Sequence, residues 1–182
     1  MRNNTISSNT FKITLGGMIT ALSVLFMFMT GIFPFATYAL PGIAGALLIA
    51  AVIEMGKGWA ITIYVAVSLL SLFIAPDKEA AVIYALVLGH YAITKSFIEK
   101  IDKVWLRLSM KLIFFNVTAI ASYLIVMHVF GITEEWPFGE WFVYVFLLLC
   151  NAVFIMYDIG MSRLVMFYIY KVQPIFRRIF RF

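Results

Sequence analysis

Short polar breaks divide this chain into apolar stretches, each long enough for one crossing of a bilayer. The pattern predicts helices over about 13–35, 38–55, 58–75, 79–100, 105–130 and 139–160, with a continuation of the last to Val172 left open. At about 1.5 Å per residue, roughly 20 helical residues span a hydrocarbon core of about 30 Å. Strand-like alternation is absent. Helices satisfy every backbone group internally, so they are the expected spanning element. The breaks carry turn chemistry: Gly31 and Pro34, Gly56-Lys57-Gly58, Pro76-Asp77, and Gly131 through Pro137-Phe138-Gly139. Pro34 and Pro41, with Tyr38 between them, favour a short re-entry loop between the first two helices. The expected fold class is all-α: a polytopic membrane protein, with residues 1–182 forming one integral six-transmembrane-helix bundle.

Composition supports that reading and narrows it. Of 182 residues, 64% are hydrophobic and 13% charged, with a mean hydropathy of +1.00. Too little polar surface remains to cover a water-solvated core. Cys150 is the sole cysteine and lies in an apolar run, which excludes an internal disulfide and a cysteine-based metal site.

The net charge of +5 follows the loops rather than a nucleic-acid surface. Arg2, Lys12, Lys57, Lys95, Lys100, Lys103, Arg107, Lys111, Arg163, Lys171, Arg177, Arg178 and Arg181 fall on one side, and Lys78 stands opposite. The positive-inside rule then puts both termini in the cytoplasm of a multi-pass cell-membrane protein. The outer loops carry Asp77, Glu79, Glu134, Glu135 and Glu140. Trp59, Trp105, Trp136 and Trp141 fall near helix ends, where an aromatic belt belongs. The first helix reads as retained, because its apolar run is long for a signal peptide and no small-residue cleavage site follows. The alternating tail Phe176 to Phe182 reads as an anchor on anionic lipid.

Little in the chain suggests catalysis. Gly56-Lys57-Gly58 lacks the remaining residues of a phosphate loop, and no serine–histidine–acid set is visible. Glu134 and Glu135 read as a solvated loop, so the chain is not expected to be an enzyme and no cofactor or metal is implied.

Polar residues at membrane depth are more informative, because each is costly unless it faces protein or water. The fourth helix carries Tyr84, Tyr91 and Lys95 on one face, with His90 beside them. The fifth carries Asn116 and Tyr123, and the sixth Tyr144, Asn151 and Asp158, in steps of seven. Residues seven apart differ by about 20° around a helix, so each set is a stripe. Two readings stand: Tyr84, His90, Tyr91, Asn116, Tyr123, Tyr144 and Asn151 line a solute pocket, or they make ordinary interhelical bonds. Asp158 near Arg163 reads as a pair at the inner end.

Gly16, Gly17, Thr20 and Ala21 form two overlapping small-residue pairs, and Gly42, Ala44, Gly45 and Ala46 follow in the second helix. Small residues let backbones approach closely, either within the bundle or against another membrane protein.

At Gly17-Met18-Ile19-Thr20-Ala21-Leu22 and Leu40-Pro41-Gly42-Ile43-Ala44-Gly45 the chain resembles the substrate-binding S components of energy-coupling-factor transporters. Size, six helices and inward termini fit the same family. The resemblance implies capture of a vitamin-like solute from outside. It also implies dependence on a transmembrane coupling protein with ATPase subunits, docked at the face of Gly17 and Ala21. The runner-up is a non-transporting envelope scaffold, since the topology is also similar to that of MreD-like cell-shape proteins.

Overall fold

The computed structural model of the chain describes residues 3–131 and 141–175. Arg2, the loop residues Glu134, Glu135, Trp136 and Glu140, and the tail Phe176–Phe182 lie outside the described residues. The chain divides into two compact units, Met1–Ile132 and Thr133–Phe182.

Every regular element among the described residues is helical. In the first unit these are α1 (Asn3–Met29), α2 (Ala39–Glu54) and α3 (Lys57–Ile74). They are followed by α4 (Lys78–Ile98), which is interrupted by a π turn at Tyr84–Leu88, and by α5 (Val104–Val129). The second unit contains α6 (Trp141–Phe167), which runs into a π turn at Tyr168–Val172. Among the described residues five helical segments are long and apolar enough to cross a membrane: Asn9–Met29, Lys57–Ile74, Lys78–Ile98, Val104–Val129 and Tyr144–Ile175. The apolar helix α2 is shorter, with 16 residues, about 24 Å at 1.5 Å per residue, just below the usual range of about 17–25 residues for a crossing.

Helix ends follow local chemistry. Helix α1 stops at Met29 rather than near residue 35, because the Thr30 hydroxyl donates to the Met27 carbonyl at 2.7 Å and Pro34 opens a 3-10 turn. At its other end α1 begins ten residues before the first apolar run, since Asn3 to Thr10 holds no proline or glycine to prevent propagation. Pro41 sits in the first turn of α2, where a missing N–H costs nothing.

The α3–α4 connection uses one dipeptide for both helices. Lys78 Nζ donates to the Leu72 and Ala75 carbonyls at 3.0 Å each, closing the C-terminus of α3. Asp77 Oδ1 accepts from the Ala80 N–H at 3.0 Å, capping α4. Lys78, the cation that stands apart from the others in the sequence, therefore has a structural task.

Within the first unit α1 packs on α2 and α3, and α2 packs on α3 and the second half of α4. The first half of α4 and its π turn pack on α5. On α1 the buried positions Leu15, Ile19, Ser23, Met27 and Thr30 recur every three or four residues. Ser23 and Ala44 are both fully buried and come close enough for the serine hydroxyl to donate to the Ala44 carbonyl at 3.4 Å. Met18, Leu22, Leu25 and Phe28 cover the opposite face and are exposed, as lipid-facing residues would be. Gly31 meets Pro76 so closely that a Cβ there would lie 2.6 Å from the proline ring. The same loops are tied by hydrogen bonds from Thr37 to Asp77 Oδ2 at 2.9 Å and from Tyr38 to Glu79 Oε1 at 2.7 Å.

Candidate functional site

The π turn of α4 is the most irregular backbone inside any of the candidate spans of the first unit. In an α-helix the Gly89 N–H would bond the Ala85 carbonyl. Here it bonds the Tyr84 carbonyl instead, at 2.7 Å. The Ala85 carbonyl is thereby released, and the hydroxyl of Tyr64 on α3 donates to it. Gly89 is required at this place: a Cβ would lie 2.6 Å from the Tyr84 oxygen and 2.9 Å from its ring.

Aromatic rings gather around this opening. Tyr64 lies 6.4 Å from Tyr84 and 5.7 Å from the His90 imidazole, centroid to centroid. The imidazole meets Phe114 of α5 edge-on at 5.2 Å. The Ala85 carbonyl also interacts with the His90 ring. His90 Nδ1 is buried and has no hydrogen-bond partner. A buried acceptor or donor of this kind is free to bind a group brought by a ligand or water. The cluster sits at the centre of the Lys78–Ile98 span, where polar side chains are least favoured.

Of the residues expected from sequence, Tyr84 and His90 belong to this cluster. Tyr91 follows His90 directly and is buried, with its ring 5.9 Å from the Lys95 ammonium. Asn116 lies on α5 and its amide donates to the Leu112 carbonyl in its own helix at 2.8 Å. Tyr123, two turns beyond, is 44% exposed. Tyr144 and Asn151 lie on α6 in the second unit. Tyr144 is 75% exposed, and the Asn151 amide donates to Leu147 of the same helix at 2.8 Å. Asp158 accepts at its backbone carbonyl from the Ser162 hydroxyl at 3.0 Å.

Tyr64 was not among the expected residues, although it holds the opened turn. A signal for it exists: Tyr64, Ser68 and Ser71 recur at steps of four and three along one face of α3. Both serines are buried.

The structure separates the two small-residue pairs of α1. A Cβ on Gly16 would meet Ile63 of α3 at 3.3 Å, so Gly16 belongs to the packed interior. Thr20 turns its hydroxyl onto the Gly16 carbonyl at 2.8 Å. Gly17 has open space around it, and Ala21 is exposed one turn later.

Two helical cations counted on the basic side of the chain are buried. Lys95 and Lys111 are 3% and 5% exposed, and both bond Glu99 Oε1, at 2.9 Å and 3.5 Å. Among the described residues no group of three or more His, Cys, Asp or Glu side chains is arranged to hold a metal.

Comparison with protein-family models, with curated proteins and with solved structures finds no match for this chain. The chain is a helical protein with several spans suited to a membrane, and its function has to be argued from the cluster itself.

Proposed function

We propose that this chain is the solute-binding subunit of a multi-subunit importer in the cell membrane, taking a vitamin-like small molecule. The single observation behind this reading is the ring cluster at the π turn of α4. Tyr64, Tyr84, His90 and Phe114 surround an irregular backbone at mid-span, and a buried imidazole nitrogen there has no partner. π turns recur at functional sites, and unneeded polarity at this depth is selected against. Aromatic edges suit a flat solute, while the imidazole supplies a hydrogen bond.

The excess of lysine and arginine on one side favours cytoplasmic termini and a pocket open to the outer face. No nucleotide-binding loop stands in the sequence, so uptake driven by ATP would need partner subunits. The outward pair Gly17 and Ala21 supplies a face where a transmembrane coupling protein approaches closely, as in the S components that the chain resembles.

A second reading, the envelope scaffold, is favoured by one observation. The Asn116 and Asn151 amides each bond a carbonyl of their own helix, which is what ordinary packed asparagines do. Mass spectrometry of small molecules that co-purify with the protein separates the two readings. The importer subunit retains a stoichiometric solute that His90→Leu loses; a scaffold retains none.

A further inference from the structure

We propose that the α2–α3 turn and the end of α4 form a binding site for a phosphodiester anion, the headgroup of an acidic phospholipid, held between Lys57 and Lys100. The inference depends only on membrane embedding and is independent of the solute reading.

Lys57 is held in place. Its ammonium lies 3.4 Å from the centroid of the Phe97 ring and donates to the Ser96 carbonyl at 3.3 Å. One of three N–H groups is used, leaving two. Lys100 follows one turn beyond Ser96 and Phe97, its N–H bonded to the Phe97 carbonyl at 3.3 Å, so the helix end that Lys57 rests on carries a second positive charge. Neither lysine is in an ion pair among the described residues. Glu99 is engaged by Lys95 and Lys111, and neither Glu54 nor Asp102 forms an ion pair with Lys57 or Lys100 among the described residues. Two like charges at one helix end, neither held in an ion pair, favour an anion that bridges them. Lys57 also opens α3 behind Gly56, which has no side chain to cap the helix, so the dipole adds to the same field.

The surroundings favour lipid as the source of the phosphate. Trp59 and Trp105 are exposed at the starts of α3 and α5, which alternate crossing puts at the same membrane face. Tryptophan at that level marks the headgroup region, and basic residues there attract acidic lipid.

The test uses full-length protein in detergent, titrated with phosphatidylglycerol or phosphatidylcholine and read by native mass spectrometry. Phosphatidylglycerol is retained preferentially by the wild type. Lys100→Gln weakens that retention about fivefold, and Lys57→Gln with Lys100→Gln roughly twentyfold, while phosphatidylcholine is unaffected. Lys100 is exposed, so its single variant carries the test even where the double variant is unstable. Equal retention of the two lipids, or an unchanged Lys100→Gln, overturns the site. Displacement of phosphatidylglycerol by millimolar inorganic phosphate overturns the lipid assignment and gives the site to free phosphate.

Discussion

Replacing Tyr64 by phenylalanine tests the architecture of the site at one atom. The ring stays, so its contacts with Tyr84 and His90 at 6.4 and 5.7 Å are kept, and only the donor to the Ala85 carbonyl is lost. That carbonyl has already lost the Gly89 N–H to Tyr84. Orphaning a buried carbonyl costs about 1–3 kcal/mol, and here the carbonyl is part-buried and keeps the His90 ring beside it, so the lower part of that range applies. Side-chain bonds inside membrane helices measure lower, with a mean near 0.6 and a maximum near 1.7 kcal/mol. The expected destabilisation is therefore about 1–2 kcal/mol. It is capped by an escape route: the π turn can close to α geometry, returning the Gly89 N–H to Ala85. Closure turns the second half of α4 by roughly 100° relative to the first, since one residue leaves the turn. Unfolding in mixed micelles measures the loss, and an isotope-labelled Ala85 carbonyl reports its bonding by infrared absorption. A variant as stable as wild type, with an unshifted Ala85 band, refutes the claim that Tyr64 holds the turn.

Other positions make separate demands. Gly31→Ala drives a methyl into Pro76 at 2.6 Å and is expected to lower stability by about 1–3 kcal/mol, read as an earlier thermal transition in detergent. Glu99→Gln removes the carboxylate shared by two buried lysines and is expected to destabilise by about 1–3 kcal/mol, the half-exposed position of Glu99 keeping the loss below that of a fully buried pair. Gly16→Leu presses on Ile63 and prevents a well-folded monomer, whereas Gly17→Leu leaves the monomer intact and abolishes co-purification with a coupling protein. In a Cys150→Ala background, a cysteine at Asp77 reacts with an impermeant reagent in intact cells and one at Lys103 only after permeabilisation; labelling of Lys103 from outside reverses the orientation.

The membrane-suited helices were legible because the need to cross about 30 Å of hydrocarbon writes itself into long apolar runs. What those runs leave out is backbone hydrogen bonding. The segment 79–100 reads as one regular helix, yet its middle is a π turn that depends on Gly89 giving Tyr84 room and on Tyr64 reaching across from α3. No local pattern in the fourth apolar stretch encodes a donor supplied from the third. Phase is a second gap. Gly16 and Gly17 are adjacent in sequence and about 100° apart on the helix, so composition marks both while packing distinguishes them. Burial of Lys95 and Lys111 was hidden for a related reason. A lysine near a helix end reads as one more cation of the basic side until a carboxylate such as Glu99 is found between two of them.

Recognition of a solute by the cluster at the π turn of α4 would run through the His90 imidazole. Its most direct test is ligand-induced thermal stabilisation of the purified protein over a panel of vitamins and their precursors, wild type against His90→Leu. At least one compound is expected to raise the wild-type transition, and His90→Leu to lose about 1–3 kcal/mol of that binding, roughly tenfold to a hundredfold in affinity. No stabilising compound for the wild type, or an equal response from the variant, contradicts this recognition and leaves the cluster as helix packing.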